Sequence, residues 1–142
     1  MKNKWQLTNF EKDVLSFTLS GESNVLSLLR QQSSEIIKIS RWYSGVGVSI
    51  KFYLNKINLK KTSSIRCVKD NFQITDVAVS INNGKYRAGV ALFIENGFLE
   101  AFTMSNFLAD SWPSSIDNYQ LEYLTANKQR NLAELIQNWN FD

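Results

Sequence analysis

A chain of 142 residues, 44% hydrophobic and 20% charged, has the length and balance of one globular domain, which excludes a disordered or fibrous protein. Histidine is absent, so the usual general base, the Ser-His and Cys-His nucleophile pairs and the commonest metal ligand are missing, and the solitary Cys67 can form neither an internal disulfide nor a cysteine zinc site. The net charge of +3 is unevenly spread: residues 1–70 hold twelve Lys/Arg against five Asp/Glu, and residues 71–142 hold four against eight.

The first predicted element is a helix. Thr8 and Glu11 have the spacing of a capping box, and Phe10, Val14 and Phe17 form an apolar stripe. Gly21 suits a left-handed cap, and a second helix follows with Val25, Leu28, Leu29 and Gln32 on one face. The period then changes to two. Ile37 and Ile39 alternate with Lys38 and Ser40 in a first strand, Ser44–Gly47 makes a bend, and Val48, Ile50, Phe52 and Leu54 define a second strand. Asn55–Ser64 reads as a polar, basic loop and Ile65–Val68 as a short strand.

Asn83-Gly84 and Asn96-Gly97 are hairpin turns, so Phe72–Ile81, Tyr86–Ile94 and the segment from Phe98 predict a three-stranded antiparallel meander. Two-residue turns set the register. Val77, Val79 and Ile81 then lie opposite Val90, Ala88 and Tyr86, while Leu92 and Ile94 lie opposite Ala101 and Leu99, all on a core face. The same rule puts Ile74, Asp76, Phe93, Glu95, Phe98, Glu100, Phe102 and Met104 on the outer face. That mixture of acids and aromatic rings suits neither a plain solvated face nor a second core layer, and it makes Asp76, Phe93, Glu95, Phe98, Glu100 and Phe102 the candidate partner-binding residues. Pro113 breaks the chain, Tyr119–Leu124 forms a last strand, and Ala126–Trp139 reads as a helix with Leu132, Leu135, Ile136 and Trp139 on one side. The expectation is an α+β domain: a helical hairpin over residues 1–33, a mainly antiparallel sheet of five or six strands over 34–124, and a C-terminal helix over 125–142.

Few residues suggest chemistry. Gly45-Val46-Gly47 lacks the third glycine of a dinucleotide fingerprint, and no phosphate-binding loop is present. Asp76 and Glu100 could form an acid/base pair, but on an open face rather than in a cleft. Cys67 has no activating histidine and reads as a small buried hydrophobe. No cofactor and no metal site is expected. Met1–Asp13 contains no apolar signal segment, and Gly89–Ile94 is too short to span a bilayer, so a reducing cytoplasm and no membrane are expected. The basic stretch Lys51, Lys56, Lys60, Lys61, Arg66 and Lys69 leaves a nucleic-acid-binding module as the alternative, with exposed strand faces as its plainer explanation. Phe93, Phe98 and Phe102 would suit base stacking, but their acidic neighbours would repel phosphate. Trp42 and Tyr43 are equally ambiguous, and Arg41 beside them suits bracing a carboxylate.

The succession Arg41-Trp42-Tyr43-Ser44-Gly45-Val46-Gly47, Ile74-Thr75-Asp76-Val77, Gly89 through Gly97, Leu99-Glu100 and Trp112-Pro113 resembles a family of small bacterial cytoplasmic proteins. These are immunity proteins paired with polymorphic or contact-dependent growth inhibition toxins. Where that family carries Leu-Glu-Gly-Tyr-Thr-Tyr, this chain has Leu99-Glu100-Ala101-Phe102-Thr103-Met104, and the helical tail after Thr125 is an addition. The resemblance implies a binding protein without a reaction, whose partner is a cognate bacterial toxin domain, often a nuclease with a basic site. Asp76, Glu95 and Glu100 would steer such a site and Phe93 and Phe102 would anchor it. The basic N-terminal half leaves open the opposite arrangement, in which Lys and Arg meet an acidic toxin.

Overall fold

The computed structural model describes residues 5–62 and 71–139. Its elements run α1 (Asn9–Thr18), α2 (Asn24–Ser33), β1 (Ile36–Tyr43), β2 (Gly47–Leu54), α3 (Lys56–Thr62), β3 (Phe72–Ile81), β4 (Tyr86–Glu95), β5 (Phe98–Asn106), β6 (Tyr119–Tyr123) and α4 (Leu132–Asn138). Every strand pairing is antiparallel, in one six-stranded sheet ordered β1-β2-β5-β4-β3-β6. The α+β class and the two N-terminal helices are as the sequence predicts.

Local chemistry explains the helix starts. Thr8 Oγ1 accepts from the Glu11 N–H and Glu11 Oε1 accepts from the Thr8 N–H, completing the capping box. Ser23 caps α2 by accepting from Leu26 N, and Asn131 caps α4 by accepting from Glu134 N. Two expectations change here. Lys56–Thr62 is helical rather than a loop. The C-terminal helix starts at Leu132 rather than Ala126, because Lys128 takes a positive φ and Asn131 supplies the cap. The expected strand Ile65–Val68 lies outside the described residues.

The core joins one face of the sheet to α1, α2 and the tail. Val14, Leu26, Leu29, Ile39, Ile50, Val79, Leu92 and Leu135 belong to it, with Trp139 at one end. Leu26, rather than Leu28, is on the buried side of α2. Gln32 is fully buried and fixes that helix: its Nε2 donates to Gly97 O and its Oε1 accepts from Leu99 N, both at the β4–β5 turn. On β6, Tyr119 meets Phe10 edge-on and Tyr123 stacks on Phe17 at 4.1 Å.

The sheet register follows the turns until two bulges intervene. From the β3–β4 turn, Ile81 faces Tyr86, Val79 faces Ala88 and Val77 faces Val90, as predicted. Then β3 carries an extra residue at Thr75-Asp76, so Ile74 pairs with Leu92. On the other hairpin Ile94 faces Leu99 as predicted, but the next pairs are Phe93 with Ala101 and Leu92 with Phe102. Glu100 is the residue without an opposite number. Each bulge reverses the faces beyond it. Ile74, Phe102 and Met104, expected on the outer face, are therefore buried in the core, and Ala101, expected inside, turns outward.

Burial of Tyr123 pushes its phenol above the ordinary tyrosine range, against the pull of Arg130. A hydrogen bond to Asp13 raises Tyr119 likewise. Both phenols hold their protons more tightly folded than unfolded. Their contribution is complete below the ordinary value of about 10 and declines as pH rises beyond it. Urea unfolding should therefore show stability falling above about pH 10. The fall should be shallower in Tyr123→Phe, and an unchanged alkaline limb would contradict this.

Candidate partner-binding surface

The six residues chosen from the sequence do not form one site. Phe93 and Phe98 are half-buried on the outer face, with Glu95 exposed at the turn beside them and Glu100 half-buried on the bulge. Phe102 is 1% exposed and stacks on Phe52 inside the core, so it cannot anchor a partner. Asp76 is committed to the helix side: Arg130 holds both its carboxylate oxygens at 2.9 and 2.7 Å while donating to Ser20 O just beyond α1. The Arg130 guanidinium lies over the Tyr123 ring, which locks the bulge to the chain before α4.

The outer face is not acidic either. Lys51 stands 3.8 Å from Glu100, and Lys38 and Lys51 both lie over the Tyr53 ring. Lys56 of α3 covers Phe98 at 4.5 Å. The acidic steering surface expected from Asp76, Glu95 and Glu100 is thus broken by a buried pair and interleaved lysines. Of the basic stretch, Lys51 and Lys56 are engaged in these contacts, and Arg66 and Lys69 lie outside the described residues, as does Cys67.

A different surface emerges at the β1–β2 end of the sheet. Nine large hydrophobic residues are exposed among those described, and five of them, Trp42, Tyr43, Val46, Phe107 and Leu108, belong to this end. Their backbones are tied together. Asn106 N donates to Val46 O, Trp112 N to Gly45 O and Phe107 N to Arg87 O. The buried Asn106 side chain then folds the following loop around itself: Nδ2 donates to Ala109 O and Ser111 O, and Oδ1 accepts from Leu108 N and Arg87 N. Gly47 permits the close approach, because a Cβ there would stand 2.2 Å from Met104 O. Phe107 and Leu108 are therefore held outward by a network instead of packing inward.

Beside this patch opens a cleft of about 990 Å³ between the start of α1 and residues 112–116, lined by Phe10, Tyr43, Met104, Trp112, Ile116 and Tyr119. Tyr43 belongs to both. A fixed apolar ridge next to an aromatic cleft is the anatomy of a docking surface, because side chains already ordered lose less entropy on binding. Arg41, one residue away, is turned inward. Its Nε donates to Glu11 Oε2 at 2.7 Å and Nη2 to Gln6 O, so the carboxylate that caps α1 also fixes the base of β1. That hydrogen bond holds the Arg41 guanidinium above its usual range.

Sequence reading singled out Trp42 and Tyr43 but not Val46, Phe107 or Leu108. Their only sequence signature is an apolar pair following a strand and a valine between two glycines. Among the described residues no group of three His, Cys, Asp or Glu side chains could hold a metal, and no helix is long and apolar enough to cross a membrane. Comparison with protein-family models, curated proteins and solved structures finds no match.

Proposed function

We propose that this is a cytoplasmic immunity protein that neutralises a cognate toxin, a nuclease in the leading reading, by direct binding and without a reaction of its own. The observation that carries the reading is the exposed apolar ridge of Tyr43, Val46, Phe107 and Leu108, pinned by Asn106 beside an aromatic cleft. A concentration of exposed large hydrophobic residues at one end of a folded domain suits a contact surface. Two of the five stretches that carry the resemblance to immunity proteins of growth-inhibition systems, Arg41–Gly47 and Trp112-Pro113, contribute Tyr43, Gly45, Trp112 and Pro113 to the cleft.

The test is co-expression with the toxin encoded by the adjoining gene. The wild type should co-purify stoichiometrically and protect the host. Tyr43→Asp with Phe107→Asp should lose the complex by at least about a hundredfold in affinity, since two truncated or desolvated anchors cost about 2 kcal/mol or more each. The variant should keep its unfolding midpoint because both side chains are exposed, at 65% and 61%. A wild-type protein that emerges with nucleic acid instead, released by salt, would contradict the reading.

A further inference from the structure

A second concavity lies on the opposite half of β1. Leu15 of α1 and Leu19 that caps it, the start of β1 and residues 5–7 line about 530 Å³, within the range of ligand-sized sites. Its floor is apolar: Leu15, Leu19 and Ile39 are 5%, 1% and 0% exposed. Its rim is basic. Lys12 and Arg30 line it, and no carboxylate does. Neither cation has an ion-pair partner among the described residues. Arg30 is instead fixed by Nη1, which donates to Leu19 O and Gly21 O. Ile37, 65% exposed, stands at the edge on a bulge between Ile36 and Lys38.

We propose that this groove receives an amphipathic helical segment of the protein partner, apolar on one face and carboxylate-bearing at its sides. Two features select that occupant. The charge around an apolar floor is of one sign, which favours an acidic apolar segment and repels a basic one. A strand added to β1 is obstructed, because Ile39 N already donates to Trp5 O and Ile37 is bulged out of register. A helix needs no backbone partner and docks through side chains alone. A phosphate backbone would leave the aliphatic floor unused. The inference rests on the proposal of a protein partner and gives that partner a chemistry: the residues contacting this half of the chain are acidic, in line with the basic excess of residues 1–70. The groove is about 20 Å along β1 from Tyr43, within the breadth of one standard interface.

The test titrates the full chain by fluorescence anisotropy into a labelled synthetic leucine–glutamate amphipathic helix, its leucine–lysine counterpart, and a random-sequence RNA at equal salt. The acidic helix should bind at least about tenfold more tightly than the basic one, and Lys12→Glu with Ile37→Asp should remove that preference while leaving the unfolding curve unchanged. Equal binding of both helices, no binding of the acidic helix, or preference for RNA overturns the inference. The toxin complex separates the two proposals. A complex intact in Lys12→Glu with Ile37→Asp but lost in Tyr43→Asp with Phe107→Asp overturns the groove and leaves the immunity reading standing.

Discussion

Phe102→Ala should cost about 3–5 kcal/mol, a large share of the stability of an ordinary domain, whereas Phe98→Ala should cost about 1 kcal/mol. The two rings are four residues apart on β5, and strict alternation would put them on the same face. The bulge at Glu100 separates them. Phe102 is 1% exposed against Leu92 and stacks on Phe52 at a centroid distance of 5.5 Å, so its removal leaves a cavity and forfeits a ring contact. Phe98 is half-buried on the outer face beneath Lys56. Urea unfolding of the two variants reads the difference directly. Equal losses would mean that β5 has no bulge and that both rings share the outer face.

Glu11→Ala should cost about 3 kcal/mol, because one carboxylate does two jobs. It returns the capping-box hydrogen bond to Thr8 N and it neutralises Arg41, whose side chain is 11% exposed. Truncation removes the carboxylate that accepts from the guanidinium at both Nε and Nη2. Loss of this charge-assisted contact to a largely buried guanidinium is the dominant cost, since the cap alone accounts for about 1 kcal/mol. The double variant Glu11→Leu with Arg41→Met should recover most of the stability, because an apolar pair of similar volume avoids the desolvation that the ion pair must offset. A double variant no more stable than the sum of its single changes would show that the pair is not coupled.

The architecture was legible where local chemistry decides it. The capping box, the two Asn-Gly turns and the alternation of Val48, Ile50 and Phe52 each name a structure from a few neighbouring residues, and the positive φ of Asn96 and Gly97 meets the demand of the turn. The bulges were not legible. Neither Thr75-Asp76 nor Glu100 carries a glycine or proline, and the extra residue exists because it brings Ile74, Phe102 and Met104 into a core that strict alternation would leave underfilled. Asp76 illustrates the same limit for the site: its partner Arg130 is 54 residues away, and no short pattern announces that pairing. The apolar ridge escaped for the converse reason. Nothing in the residues around Phe107 and Leu108 shows that the Asn106 side chain turns the loop outward.

The most direct measurement of the central claim is amide hydrogen exchange of this protein with and without its cognate toxin domain. Protection should concentrate in residues 42–46 and 106–112, with a second protected segment at 36–39 if the groove is occupied in the same complex. Unchanged exchange at 42–46 and 106–112, with protection confined to the outer-face segment around Phe93 and Phe98, would show that the partner docks on the sheet face and that the apolar ridge is not the binding surface.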